Sequence, residues 1–309
     1  MPDTPTTATR PSLLQPRHWP AFAGVFLAML AARLPWWLQR ALGRGVGWLA
    51  LRLARSRRRV AEVNIALCFP ELDADARAAL LERNFRELGI GLFEFARAWW
   101  GNVEPMRKVL RIEGLEHVEA ARAEGRGVIV VSGHFTTLEM AARLMCAHLP
   151  LAGMYRPHAT APMEWAVKRG RLRYAAAMFT RDELRPALKH LKQGGLLWFA
   201  PDQDTRRGDS VHVSFFGQPA YSLTSTHQLA RMSGAAVLAF AHVRNDDGSY
   251  TLRLSPPFPD FPSSDATADT AKVMAAIEAM VRAAPHQYLW IHRRFKRQPG
   301  TAEKGALYR

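Results

Sequence analysis

Residues 127–145, GVIVVSGHFTTLEMAARLM, contain the pattern that decides the fold. Val128–Val131 is an unbroken apolar, β-branched run, which is typical of a strand buried on both faces of a sheet. From Leu138 onward the apolar residues recur at helical spacing, so the stretch predicts a strand, a sharp turn and a helix. Ligands of open α/β sheets bind outside the carboxyl ends of the strands. The turn is therefore the predicted functional position.

Two side chains of this stretch are candidates for catalysis. His134 lies in the turn, and Glu139 follows five residues later, a separation that does not put both on one face of a regular helix. The two can meet only if His134 precedes the helix. A histidine whose ring is held by a carboxylate can act as a general base near neutral pH. Two other interpretations stay open: Thr136 and Glu139 fit a helix capping box, and His134 could be an ordinary buried polar residue.

The chain of 309 residues is strongly basic, with a formal net charge of +15. This charge favours anionic partners, namely nucleic acid, a phospholipid surface, a phosphorylated substrate or an acidic carrier protein. Cys68 and Cys146 are too few for a disulfide framework or a cysteine metal cluster. We expect both cysteines to be reduced and buried in a protein that faces the cytosol.

The N-terminal part of the chain predicts attachment to a membrane. Residues 1–18 are rich in Pro and Thr and are predicted to be loosely ordered. Residues 19–38 are apolar with one charge, but their uncharged core is shorter than the roughly 20 residues of a full span. We therefore expect an uncleaved anchor that either spans the bilayer or lies in it. The arginines of 40–59 would keep the rest of the chain in the cytoplasm, and a nucleic-acid tail is the alternative.

The remainder of the chain, 61–309, alternates helices with strands. Such alternation predicts an α/β domain with a mixed, largely parallel sheet. Further helices are predicted at 73–100, 115–124, 163–174, 181–192, 222–233 and 266–283, and further strands at 151–155, 175–179, 196–200, 211–215, 235–243 and 250–254. The glycine cluster at 43–47 follows no strand and does not predict dinucleotide binding.

Four more residues are candidates for the site because they follow or flank predicted strands. Asp202 and Asp204 come directly after the strand 196–200, where carboxylates could bind a divalent metal, orient a substrate hydroxyl or cap a turn. Arg156 follows another strand, and Arg169 lies in an arginine-rich helix; guanidinium groups suit phosphates. The chain lacks both G-x-S-x-G and a Walker glycine loop, so the nucleophile is expected to belong to the substrate.

The chain resembles the bacterial late acyltransferases of lipid A biosynthesis from about residue 19 to 309. Eight blocks carry the resemblance in the order of the family: NIALCFPE, RNFRELGIGLFE, RIEGLEHV, HFTTLE, YRPH, APDQD, FFG and QYLWIHRRFK. The resemblance implies a glycerol-phosphate-acyltransferase-like fold with an N-terminal membrane-anchoring helix. The family continues APDQD with Tyr-Gly, whereas this chain has Thr205 and Arg206.

The resemblance also implies an activity. A fatty acyl group, expected to be lauroyl, would pass from acyl-acyl carrier protein to a 3-hydroxyacyl chain of a Kdo-modified lipid A precursor. His134 and Glu139 match the catalytic motif, Arg169 best matches an arginine beside the acid with Arg171 close by, and Asp202 and Asp204 match a substrate-positioning motif. The resemblance implies no metal or organic cofactor, no nucleic acid, and a place on the cytoplasmic face of the bacterial inner membrane.

Two other functions compete with this expectation. One is a basic membrane-surface protein without chemistry, for which His134 and Glu139 would be replaceable but the cationic runs RSRRR and HRRFKR would not. The other is a phospholipid-type acyltransferase that uses a glycerol-phosphate acceptor. Its relatives share the histidine-acid motif but lack the ending QYLWIHRRFK.

Overall fold

The structure is a computed structural model that describes residues 15–204, 208–300 and 303–309. Its helices are α1 (Trp19–Ala31), α2 (Trp36–Leu53), α3 (Arg55–Cys68), α4 (Ala74–Trp100), α5 (Glu104–Arg107), α6 (Leu115–Ala123), α7 (Leu138–Met145), α8 (Ala161–Arg171), α9 (Leu184–Lys192), α10 (Ser225–Ser233) and α11 (Ala266–Ala283). Its strands are β1 (Leu110–Glu113), β2 (Val128–Val131), β3 (Leu151–Tyr155), β4 (Ala177–Thr180), β5 (Leu196–Phe199), β6 (Ser210–Phe215), β7 (Gln218–Leu223), β8 (Ala236–Arg244) and β9 (Tyr250–Pro257).

Seven strands form one sheet in the order β1-β9-β8-β2-β5-β3-β4. The central strand β2 pairs in parallel with β5 on one side and β8 on the other, and β3 and β4 continue in the same direction. Only β9 meets its neighbour β8 in an antiparallel pairing, and β1 is parallel to β9. The prediction of a mixed, largely parallel α/β sheet is confirmed.

Both faces of β2 are covered, as its unbroken apolar sequence requires. Ile129 and Val131 face a core built with α3, α4, α9, α10 and α11, whereas Val128 and Val130 face a core built with α6 and α7. All four side chains are buried. This double cover fixes the end of β2, and with it the turn that follows, from both sides of the sheet.

Most of the predicted elements are present, with two kinds of difference. The helix predicted from Asp73 is confirmed, since Asp73 Oδ1 accepts a hydrogen bond of 2.8 Å from the backbone N–H of Ala76. Strand β1 was not predicted. The helix predicted over 222–233 begins only at Ser225, because the preceding residues form β7 and pair with β6 in an antiparallel hairpin. Both cysteines are free, and burial raises the pKa of Cys146 to about 12.

The N-terminal segment folds differently from the predicted anchor. Helix α1 ends at Ala31 and α2 begins after Pro35, because a proline disfavours helical geometry at the residue before it. None of the described helices combines the length and the apolar character needed to cross a bilayer. Where a single anchor that spans the bilayer or lies in it was expected over 19–38, the structure has the end of one helix and the beginning of another. Residues 1–14 lie outside the described residues.

Helix α2 lies directly against α4, and the glycine cluster explains how. A Cβ added at Gly47 would overlap the backbone of Phe85, and one added at Gly89 would overlap the carbonyl of Gly43. Only glycine permits such a close approach of two helix backbones. These residues therefore serve helix packing.

Candidate active site

The turn between β2 and α7 is held by a segment from the far end of the chain. Phe135 and Tyr288 form an isolated antiparallel bridge. The backbone N–H of Leu289 donates to the carbonyl of His134 at 2.9 Å, and that of Thr136 donates to the carbonyl of Gln287 at 2.8 Å. The C-terminal segment thus lies along the turn like a short extra strand and fixes the backbone on both sides of His134.

The His134 ring is held by Asp202, which follows β5. Its Nδ1 lies 2.5 Å from Oδ1 of Asp202, and its backbone N–H donates to Oδ2 at 2.8 Å. The hydroxyl of Tyr288 donates to the same Oδ2 at 2.9 Å. An ionised carboxylate only accepts, so Nδ1 carries the proton. The other ring nitrogen, Nε2, is then the one that can take a proton from a substrate.

Asp202 is ionised although it is buried. Burial by itself raises the pKa of its carboxyl group, but the His134 ring and backbone N–H together with the Tyr288 hydroxyl hold that pKa well below its ordinary value. The carboxylate is 1% exposed, whereas the His134 side chain is 31% exposed. A fixed negative charge therefore lies behind a partly accessible imidazole.

Glu139 is part of a second, separate cluster. Its Oε1 accepts from Nε of Arg171 at 2.8 Å, and its Oε2 accepts from the indole N–H of Trp99 at 2.7 Å and the hydroxyl of Tyr174 at 2.8 Å. Burial raises the pKa of Glu139, but the charge and hydrogen bonds of Arg171, with those of Trp99 and Tyr174, bring it below its ordinary value. Glu139 is thus a buried carboxylate kept ionised by three donors.

The predicted pairing of His134 with Glu139 is therefore not what the structure shows. His134 precedes α7 and bonds toward the end of β5, whereas Glu139 lies in the first turn of α7 and bonds to groups from α4 and the end of α8. The capping-box interpretation is also wrong, because both Glu139 oxygens accept from side chains and the α7 N-cap, Thr137, makes no side-chain cap hydrogen bond.

The arginine beside the acid is Arg171 rather than Arg169. Arg169 is exposed, and its guanidinium carbon lies 5.6 Å from the centre of the Trp165 ring. Two residues along a helix are separated by about 200°, so these arginines lie on opposite faces of α8. The buried residue Val167 lies four positions before Arg171 and shares its face. That spacing was the signal in the sequence that could have identified Arg171.

Asp204 lies away from the catalytic turn in an ion cluster with the C-terminal segment. Its Oδ1 lies 3.2 Å from Nη1 of Arg297 and 3.5 Å from Nζ of Lys296, and its backbone carbonyl accepts from Lys296 Nζ at 2.7 Å. Burial raises the pKa of Asp204, and these cations only partly offset that effect. The structure therefore brings Asp202, but not Asp204, to His134. The departure at Thr205 and Arg206 lies outside the described residues.

A cavity of about 660 Å³ opens beside both clusters. His134, Glu139 and Arg171 line it together with Arg156. The rest of the lining is mostly apolar and comes from α2, α4, α7 and β3, represented by Ala50, Leu88, Ala142, Cys146 and Ala152. Such a space fits a long apolar group whose reactive end lies near His134. Among the residues that the structure describes, no group of three His, Cys, Asp or Glu side chains could hold a metal ion.

Sequence reasoning missed several residues of the site. Trp99 and Tyr174 hold Glu139, Tyr288 holds Asp202, and Arg57 lines the cavity. Tyr288 belongs to QYLWIHRRFK, but nothing local in the sequence shows that this block folds back onto the catalytic turn. These partners come from chain segments far from residues 134 and 139, so only the tertiary fold reveals them.

The chain is similar to known proteins over nearly its whole length. Residues 6–297 match the family described as bacterial lipid A biosynthesis acyltransferase. The chain is 37% identical over 290 residues to the lipid A biosynthesis lauroyltransferase of Escherichia coli (strain K12), covering 93% of this chain and 95% of that protein. It is 39% identical over 288 residues to the lipid A biosynthesis palmitoleoyltransferase of the same organism, covering 93% and 94%.

One solved structure is also similar, the 1-acyl-sn-glycerophosphate acyltransferase from Thermotoga maritima. The likeness covers 86% of this chain and 98% of that one, with 18% identity and a TM-score of 0.38, which is too low to infer a shared fold. The family match and the two Escherichia coli relatives extend over nearly the whole chain. This protein is therefore an acyltransferase and belongs to the bacterial lipid A biosynthesis acyltransferase family.

Proposed function

We propose that this enzyme transfers a fatty acyl group from acyl-acyl carrier protein to the hydroxyl of a 3-hydroxyacyl chain on a Kdo-modified lipid A precursor. The observation that carries the proposal is the cavity of about 660 Å³, which is apolar over most of its lining and has His134, backed by Asp202, at its polar part. An acyl chain would fill the apolar part, and its thioester carbonyl would lie near the imidazole. The similarity to a lauroyltransferase and a palmitoleoyltransferase of lipid A biosynthesis supports this chemistry.

In the proposed reaction, His134 Nε2 takes the proton of the acceptor hydroxyl as its oxygen attacks the thioester carbonyl carbon. A carbon–oxygen bond forms, the carbon–sulfur bond then breaks, and the thiol of the carrier leaves with the proton from the imidazolium. Asp202 stabilises the imidazolium while it exists. General base catalysis of this kind contributes roughly 10²–10⁴-fold to a rate. Glu139 contributes to this site by holding Arg171 at the cavity. The buried ion pair fixes the positions of both the Glu139 and the Arg171 side chains.

We further propose that the enzyme works on the cytoplasmic face of the inner membrane, with α1 and α2 lying in the membrane surface. Large apolar side chains on these helices are exposed, among them Phe26 at 58%, Leu27 at 64% and Trp37 at 70%. Arginines flank them, which suits anionic lipid headgroups. Because α2 also lines the cavity, a lipid acceptor would reach His134 from the membrane side.

The test is acyl transfer by the purified protein, followed by mass spectrometry of the product. We expect an acceptor mass increased by one acyl group at a 3-hydroxyacyl position, and no product with the His134→Ala variant. Lipid A from cells that lack and then regain the gene should show the same mass difference, which also reports the chain length. Transfer to glycerol phosphate in place of the lipid A precursor would replace this proposal with the phospholipid-type function.

A further inference from the structure

The structure separates Arg57 from its neighbours in the basic run RSRRR. Nε of Arg58 lies 3.3 Å from Oε1 of Glu62, and Arg59 donates to the backbone carbonyl of Arg309 at 3.2 Å. Arg57 instead lines the cavity that contains His134. The sequence analysis treats all three arginines alike, as part of the basic segment 40–59. The structure distinguishes one cation at the cavity from two that are engaged elsewhere.

Helix α3 fixes the position of Arg57 relative to the catalytic turn. Asn64 donates hydrogen bonds of 2.6 and 2.7 Å to the carbonyls of the residues before and after Ile291. Arg57 lies two helical turns before Asn64 on the same face, and its Nη1 reaches the carbonyl of Ile291 at 3.4 Å. Ile291 follows Leu289, whose N–H is bonded to His134. Arg57 and His134 are therefore bonded to the same short segment of backbone, residues 289–291.

The cations that line this cavity exceed its available carboxylates. Arg57 and Arg156 are both exposed, and no carboxylate of the described residues lies within 4 Å of either guanidinium. The only carboxylate in the described lining, Glu139, is bound to Arg171. Arg57 also lies in the first turn of α3, where a positive charge opposes the helix dipole, so helix stability does not explain its presence.

We propose that Arg57 and Arg156 form a subsite for a phosphate group at the cavity, close to the reacting end of the acyl chain. This inference rests on the proposed function and adds a recognition element to the same site. Guanidinium groups bind phosphate oxygens in a fork of two parallel hydrogen bonds. The phosphate is that of the glycolipid acceptor or that of the prosthetic group of the carrier-bound donor. Both sources present a phosphate group to the arginines, and steady-state kinetics with each substrate varied in turn distinguishes between them.

The experiment is steady-state kinetics of Arg57→Ala, first with the acceptor varied at saturating donor and then with the donor varied at saturating acceptor. Loss of a charge-assisted contact to phosphate should raise one KM by about tenfold or more while kcat stays within about twofold. A raised acceptor KM identifies the glycolipid phosphate. A raised donor KM identifies the carrier's phosphate, and either result supports the subsite.

Matched variants isolate the phosphate contact from general charge. Arg58→Ala removes an equal charge from the next residue and should leave both KM values within about twofold, since an exposed pair contributes little. Arg57→Lys should be intermediate because lysine lacks the fork. If the acceptor supplies the phosphate, its dephosphorylated form should bind wild type and Arg57→Ala with equal KM. Thermal unfolding of each variant shows whether it is folded, and Arg156→Ala provides a second, independent test.

Different results would contradict the proposed function and the phosphate subsite. Absence of acyl transfer by the wild-type protein would reject the proposed function itself. Normal transfer by wild type, with both KM values unchanged in Arg57→Ala and Arg156→Ala, would overturn the phosphate subsite alone. Equal increases in Arg57→Ala and Arg58→Ala would also overturn it, because they would show an effect of overall charge.

Discussion

Two buried carboxylates with different partners organise the site at the scale of single residues. Asp202 is paired with an imidazole that can gain and lose a proton, whereas Glu139 is paired with a guanidinium that cannot. Each carboxylate has a hydrogen-bonded partner beside it, and this pairing offsets the desolvation cost of burying its charge. The Asp202 pair can therefore take part in proton transfer, and the Glu139 pair supplies a fixed charge and a fixed cavity wall.

The Asp202 pair predicts a selective loss of activity. In Asp202→Asn the amide oxygen can still accept from Nδ1, so the fold and substrate binding should be retained. The negative charge that stabilises the imidazolium is lost, so kcat should fall by roughly 10²–10⁴-fold, the range of general base catalysis. Steady-state kinetics with circular dichroism as a folding control checks this. An Asp202→Asn enzyme with wild-type kcat would remove Asp202 from the mechanism.

The same carboxylate predicts how stability depends on pH. The pKa of Asp202 is lowered in the folded protein, so its ionised form stabilises the fold above its ordinary pKa of about 4. That stabilisation declines as pH falls below this value toward the lower folded-state pKa. The melting temperature of wild type should therefore drop more steeply between pH 5 and about pH 3 than that of Asp202→Asn. Parallel melting curves for the two proteins over this interval would contradict the assignment.

Arg171 and Arg169 provide a matched pair on one helix. Arg171→Ala leaves the Glu139 carboxylate buried without its cation, which should destabilise the protein by about 3–5 kcal/mol. Arg169→Ala removes an exposed residue and should change stability by less than about 0.5 kcal/mol. Urea unfolding of both variants measures the difference. Equal effects of the two substitutions would mean that the Arg171 pair is not the buried contact that holds Glu139.

The first two helices matter most at the scale of secondary structure elements. Helix α2 is held against α4 by glycines, and it turns one side toward the cavity while leaving large apolar side chains such as Trp37 exposed. Helix α1 packs partly against α8 through a contact of Phe22 with Trp165 and exposes Phe26 and Leu27. A surface of this kind, next to arginines, suits a protein that lies in a membrane surface.

This surface predicts the result of a vesicle-binding experiment. Replacing Phe26 and Leu27 by Glu should weaken binding to anionic vesicles at high salt by more than tenfold, because each buried side chain contributes about 1.5–3 kcal/mol. Folding should be unaffected, since both side chains are exposed. Met232→Glu, at an exposed apolar residue of α10, serves as the control and should leave binding unchanged. Sedimentation with vesicles measures both. Undiminished binding of the double variant at high salt would exclude α1 from the contact.

Local patterns in the sequence predicted most elements of the molecule as a whole, but not how distant segments meet. The unbroken run Val128–Val131 predicts a central strand because only burial on both faces tolerates it. The position of His134 follows from the same pattern. The partner of His134 could not be identified from the sequence. Glu139 is close to the turn along the chain, and Asp202 follows a strand expected at the same edge of the sheet, so both were possible. Only the packing of α7 decides between them. Pairing of the C-terminal segment with the turn has no local signal at all.

If the acyl chain binds in the cavity as proposed, the residues that line it should determine which chain lengths fit. Glu139 and Ala142 of α7, and Cys146 directly after it, line the cavity at increasing distance along the chain from the first turn of the helix. Ala142→Phe should fill part of the apolar space, so activity with long acyl donors should fall by more than tenfold while shorter donors are retained. Competition between acyl-acyl carrier proteins of different chain length measures this. An unchanged preference would mean that the acyl chain lies elsewhere in the cavity.

The pairing of Leu289 with His134 has a consequence for biosynthesis. A ribosome makes the chain from its N-terminus, so the strand, the turn and Asp202 all emerge before the segment that braces them. Until that segment docks, the turn and Asp202 lack the hydrogen bonds that it supplies. We therefore expect acyl transfer to begin only after the C-terminal segment has docked on the turn. A chain interrupted shortly before residue 288 would lack Tyr288, Trp290 and Phe295, which are buried in the main core, so it would lose core packing together with the support of His134.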